Sequence, residues 1–140
     1  MLTIQSQNIW NIFFQSSLEE LNRINPFLEN IPPLKRLKED RFYFLRLCIS
    51  EAVSNAMIHG NMLDKTKTVS LNLLVETKHC IITVTDDGNG LPFGQLESVK
   101  VLTPSKEIGN RGLRIILDTM ESVSISKTEK KFSIVMKFIG

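Results

Sequence analysis

The stretch from residue 40 to 59 constrains this chain more than any other. Phe42, Leu45, Ile49, Ala52, Val53 and Ala56 recur there at helical spacing and give one long helix a single apolar side. Gly60-Asn61 supplies its stop. Such a helix needs a second layer to cover it, and the following residues offer a sheet. Val69, Leu71 and Leu73 alternate with Ser70 and Asn72, and Ile81, Ile82, Val84 and Thr85 form a second β-prone run. The two read as neighbouring strands joined near Thr77-Lys78-His79. Residues 112 to 120 predict a third helix, followed by strands around 123–126 and 132–138.

Toward the N-terminal side, Leu2 and Ile4 alternate with polar neighbours and predict a short first strand. Ser6 or Asn8 is placed to cap a helix behind it. Ile9, Ile12, Phe13, Leu18, Leu21 and Ile24 fall mostly at three- and four-residue spacings, so this segment is expected to be helical, with Trp10 and Phe13 in the core. Asn25-Pro26 and Ile31-Pro32-Pro33 then mark a connection between helices, because proline removes a donor and restricts the residue before it. The expected order is strand, helix, helix, two strands, helix, two strands. It implies an α+β fold, a two-layer sandwich whose mixed, mainly antiparallel sheet is covered on one face by helices. At 140 residues, one domain spanning 1–140 is expected.

Charge narrows the function classes. The 17 basic and 15 acidic residues are mixed along the chain and leave a net charge of +2, so the dense basic stripe of a nucleic-acid binder is missing. Cys48 and Cys80 lack metal-ligand spacing and read as reduced core residues. The sequence begins without a leader pattern and has no apolar run long enough to span a bilayer; a cytoplasmic protein without membrane contact is expected.

Three short motifs carry chemistry. Glu51, Asn55 and His59 stand at i, i+4 and i+8 along one side of the long helix, making a polar ledge. Asn55 offers an amide oxygen suited to Mg²⁺, and Glu51 a base toward an attacking hydroxyl. Asp86-Asp87-Gly88-Asn89-Gly90 follows a strand; Asp86 can accept from an adenine amino group while Gly88 and Gly90 let backbone approach the base. Gly109-Asn110-Arg111-Gly112-Leu113 opens the third helix, where free backbone N–H groups favour phosphate. Singly, the first motif also fits a solvated face and the second a tight turn. Together, in this order, they point to ATP. Residues 91 to 111 form the least regular stretch, the kind of long loop that often carries function.

The combination resembles the Bergerat-type ATP-binding fold of the GHKL superfamily, shared by histidine-kinase catalytic domains, type II topoisomerases and MutL. It is most similar to the anti-sigma factor serine/threonine kinases of the RsbW/SpoIIAB type. Residues 50 to 60, Ser-Glu-Ala-Val-Ser-Asn-Ala-Met-Ile-His-Gly, look like that family's N-box; residues 86 to 90 look like its adenine box, and Arg111-Gly112-Leu113 like its second glycine box. The resemblance implies that Glu51 is the catalytic base and that Asn55 holds Mg²⁺. It implies nucleotide contacts from Asn55, His59, Asp86, Gly88, Gly90, Asn110, Arg111, Gly112 and Leu113. It also makes residues 91 to 109 an ATP lid, with Thr103, Ser105 and Lys106 as candidate phosphate contacts. Asn110 stands where the family's second box has its first glycine, and asparagine is the residue that best tolerates a positive φ there. The implied function is partner switching. A homodimer binds ATP with Mg²⁺, phosphorylates an antagonist (anti-anti-sigma) protein of STAS type and sequesters a sigma factor, without touching nucleic acid itself. The alternative is an ATP-dependent binding module without transfer activity.

Overall fold

The computed structural model describes residues 8–88, 100–102, 111–128 and 130–140, with only the backbone described at Lys100 and Leu102. Among these residues six strands form one sheet: β1 (Ile9–Gln15), β2 (Thr68–Val75), β3 (His79–Asp86), β4 (Lys100–Leu102), β5 (Ser122–Lys127) and β6 (Phe132–Ile139). The order across the sheet is β1-β2-β3-β6-β5-β4. Every described pair is antiparallel. Period two decides which side faces inward. Val69, Leu71, Leu73 and Val75 of β2, Cys80, Ile82 and Val84 of β3, and Ile134, Met136 and Phe138 of β6 are buried, while the residues between them are half-exposed.

The helical layer covers that buried side. α1 (Ile24–Glu29) is short, α2 (Glu39–Asn55) is the long helix the apolar stripe predicts, and α3 (Arg111–Thr119) packs beside α2. Leu45, Cys48, Ile49, Ala52 and Val53 of α2 join Leu113, Ile116 and Leu117 of α3 and the inward strand residues in one core. Each fully buried Leu or Ile in it contributes roughly 1.5–3 kcal/mol relative to exposure. Cys48 and Cys80 are both buried free thiols, and burial pushes them up to about 11 and about 12 respectively.

The expected first helix is absent. Residues 9–15 form β1, the sheet's edge strand, paired from Ile9 opposite Leu74 to Gln15 opposite Thr68. Phe14 is fully buried and Trp10 and Ile12 lean on the core, whereas Phe13 is 63% exposed, so Phe13 is not a core residue. Leu2 and Ile4 lie outside the described residues. The chain turns through a 3-10 helix, Leu18–Arg23, pinned back to β1 by Arg23, whose guanidinium donates to Phe13 O at 2.8 Å. α1 runs through Asn25-Pro26 rather than breaking there, because a proline in the first turn gives up only an N–H that has no helical partner. Pro32 opens a second 3-10 helix, Pro32–Arg36. β4 lies inside the stretch expected to be irregular and pairs with β5.

Candidate functional site

α2 passes directly into a π-helical turn, Ala56–Gly60, closed by Asn61 N donating to Ala56 O at 2.8 Å. Turns of this kind recur at functional sites because they widen the helix and re-aim its last side chains. Met57 points into the core and is fully buried; Ile58 and His59 are exposed. One turn earlier, Glu51 and Asn55 are half-buried. Among the described residues no hydrogen bond or ion pair engages the Glu51 carboxylate or the Asn55 amide. Both remain available to a ligand.

Asp86 ends β3 and is only 3% exposed. Its Oδ1 accepts from Gly88 N at 2.7 Å, which curls the turn back over the carboxylate. Burial pushes the carboxyl up to about 6; the Gly88 amide pulls the other way and neighbouring Asp87 adds to the rise. Two glycines make the enclosure possible. A Cβ on Gly60 would lie 2.2 Å from Asp86 Oδ2, and one on Gly88 would lie 1.9 Å from Gly60 O. The end of the π turn and the β3 turn thus touch backbone to backbone, with the carboxylate held between them. Asp87 faces outward and receives Lys131 Nζ at 2.8 Å, which holds its carboxyl below the usual range.

Two residues of this region, Gly60 and Asn61, are not singled out as site residues by the sequence. Asn61, read only as part of a helix stop, is fully buried and polar. Its Nδ2 donates to Ser16 Oγ at 2.8 Å and to Thr68 O at 3.0 Å, and its Oδ1 accepts from Asp87 N at 2.9 Å. Ser16, also fully buried, donates in turn to Lys67 O at 2.8 Å. A polar residue behind a glycine looks like any turn; only the fold brings its partners together.

At the other glycine motif, Arg111 opens α3 and is exposed, while Gly112 and Leu113 are buried against the core side. Gly90, Thr103, Ser105, Lys106 and Asn110 lie outside the described residues. A buried carboxylate held between two glycine turns has the chemistry to accept from an exocyclic amine such as adenine's. The described residues contain no group of three His, Cys, Asp or Glu side chains able to cage a metal. The Asn55 amide oxygen instead suits a hard cation that shares its coordination with phosphate and water.

Residues 14–138 match the histidine kinase-like ATPase domain, and the chain belongs to that family. Among characterised relatives it is similar to anti-sigma F factors. It is 30% identical over 94 residues to the one from Geobacillus stearothermophilus, covering 66% of this chain and 64% of that protein. Against the Clostridium perfringens protein the figures are 31% over 96 residues, 66% and 69%. Against that of Clostridium acetobutylicum they are 27% over 119 residues, 83% and 75%. The match therefore spans a little under two thirds of the Geobacillus protein's length. No helix among the described residues is long and apolar enough to cross a membrane.

Proposed function

We propose that this chain binds ATP with Mg²⁺ and acts as an anti-sigma factor and serine/threonine-protein kinase, phosphorylating an antagonist protein and sequestering a sigma factor in a partner-switching system. The observation that carries the reading is the Gly60-Asp86-Gly88 cradle lying one π turn from the unengaged Glu51 and Asn55. Similarity to anti-sigma F factors supports the choice of partners. A cytoplasmic homodimer is part of the same proposal.

In this reading Asp86 accepts a hydrogen bond from the adenine amino group, and Gly60 and Gly88, lacking side chains, let the two turns close on the carboxylate that reads it. Asn55 supplies an oxygen to Mg²⁺, which when bound offsets charge on the phosphate oxygens. Arg111 stands toward the phosphates, with His59, Gly112 and Leu113 shaping the surrounding wall. Gly90, Thr103, Lys106 and Asn110 belong to the same proposed set. The antagonist's serine or threonine oxygen attacks the γ-phosphorus as ADP departs, and the hydroxyl proton passes to the Glu51 carboxylate. Transfer of this kind needs positioning and charge more than covalent help, so one base and one metal ligand on a rigid helix suffice.

Incubation with labelled ATP, Mg²⁺ and a candidate antagonist tests the proposal. Wild-type chain is expected to yield phosphoserine or phosphothreonine, and Glu51→Ala to keep nucleotide binding while losing transfer by about 100-fold or more. Transfer unchanged in Glu51→Ala would remove Glu51 from the base role. Nucleotide binding without any transfer by the wild type would favour an ATP-dependent binding module.

A further inference from the structure

The geometry points to Asn61 as the positioning residue that fixes the Asp86-Asp87-Gly88 turn, and so sets the chain's preference for adenine over guanine nucleotides. The inference rests on the proposed adenine role of Asp86. Asn61 occupies the junction of four elements. Its backbone N–H closes the π turn onto Ala56 O, its Nδ2 reaches Ser16 beyond the end of β1 and Thr68 at the start of β2, and its Oδ1 holds the Asp87 amide. The Asp87 carboxylate in turn receives Lys131 Nζ at 2.8 Å.

These contacts need asparagine. The primary amide has two N–H donors and one oxygen, and here all three functions are used. At full burial no water replaces a missing partner. Aspartate lacks both donors, alanine lacks everything, and glutamine carries the amide one methylene too far. The bond from Asn61 Oδ1 to the Asp87 amide acts one residue beyond the carboxylate that would read the base. Gly88 N, one residue further, already holds Asp86 Oδ1. Releasing Asp87 N–H frees the turn between those points, and the Asp86 carboxylate loses its fixed aim. An adenine amine rewards a well-aimed acceptor, whereas the guanine keto oxygen at the same position is repelled by it. Loss of aim therefore narrows the difference between the two bases.

Competition of ATP and GTP for the full chain, read by calorimetry in Mg²⁺ buffer, tests this. Wild type is expected to favour ATP, and Asn61→Ala to lower the ATP-over-GTP preference about tenfold. A purely structural loss would weaken both nucleotides together and leave their ratio untouched. In an Asp86→Asn background, Asn61→Ala is expected to change the ratio no further, because Asn61 acts through Asp86. Ser16→Ala leaves the Asp87 contact but unpins the amide, and is expected to lower the ratio about two- to threefold. An undiminished preference in Asn61→Ala would overturn the inference, and if that variant does not fold, an undiminished preference in Ser16→Ala would do so. Binding that falls in Asp86→Asn while the Asn61 and Ser16 variants keep the wild-type ratio would overturn this inference and leave the adenine reading standing. A wild-type chain that binds no ATP would overturn both.

Discussion

A carboxyl group that is 3% exposed, with glycines pressed against it, resists ionisation, and this gives Asp86 a signature in stability as well as in binding. Below about pH 4 the group is protonated in folded and unfolded chain alike. Between there and its raised value of about 6, the unfolded chain has released a proton that the native state still holds. Stability from this group accordingly falls as pH rises through that window and levels off above it. Asp86→Asn is expected to abolish that slope and, at pH 7, to unfold at higher denaturant than wild type, by on the order of 1–3 kcal/mol. Urea titrations of both proteins at pH 4 and 7 check the sign; a variant less stable at pH 7 than at pH 4, relative to wild type, would contradict it. Gly88→Ala goes the other way. Its Cβ would meet backbone at 1.9 Å, with no flexible side chain to yield, so a loss of about 2 kcal/mol or more is expected by denaturant unfolding, with nucleotide binding impaired as well. Asp86 and Gly88 could be singled out from sequence because residue type and order carry the proposed chemistry, whereas Gly60 read as a helix stop. Asn61 could not be singled out, since its partners Ser16, Thr68 and Asp87 come from three other parts of the chain.

At the scale of elements, α2 was legible because a long helix with one apolar side repeats its signal over several turns. β2 showed itself by the alternation of Val69, Leu71 and Leu73 with Ser70 and Asn72, and β3 by the β-prone run Ile81, Ile82, Val84 and Thr85; in both strands buried and half-exposed residues take turns. β1 hid its nature. It carries apolar residues on both faces, Trp10, Ile12 and Phe14 toward the core and Ile9 and Phe13 outward, so period two disappears and a chance helical spacing takes its place. β4 is three residues long, too short to show any period. The strand makes a sharp distinction between adjacent phenylalanines. Phe14→Ala is expected to cost about 3–5 kcal/mol of unfolding free energy, and Phe13→Ala no more than about 0.5 kcal/mol. The helix expected from spacing puts Phe13, not Phe14, on its apolar side, so a larger loss in Phe13→Ala than in Phe14→Ala would contradict β1.

Across the whole molecule, the layer order explains why the candidate site lies where it does. The sheet turns its inner face to α2 and α3, and the end of α2 meets the end of β3, so the π turn and the Asp86 turn share one boundary of the core. Rigid elements thus hold Glu51, Asn55 and Asp86, and the fold class was readable from sequence because it follows from one helix and its neighbouring strands. Membership in the histidine kinase-like ATPase family fits that architecture. On the proposed function, the cradle between these elements receives ATP through Asp86. Calorimetric titration of ATP and Mg²⁺ into wild type and Asp86→Asn at pH 7 tests it most directly. Saturable binding by wild type and an affinity at least about tenfold weaker in a folded Asp86→Asn are expected, the measure of a lost hydrogen bond to a charged acceptor; equal affinities in the two proteins would contradict the claim.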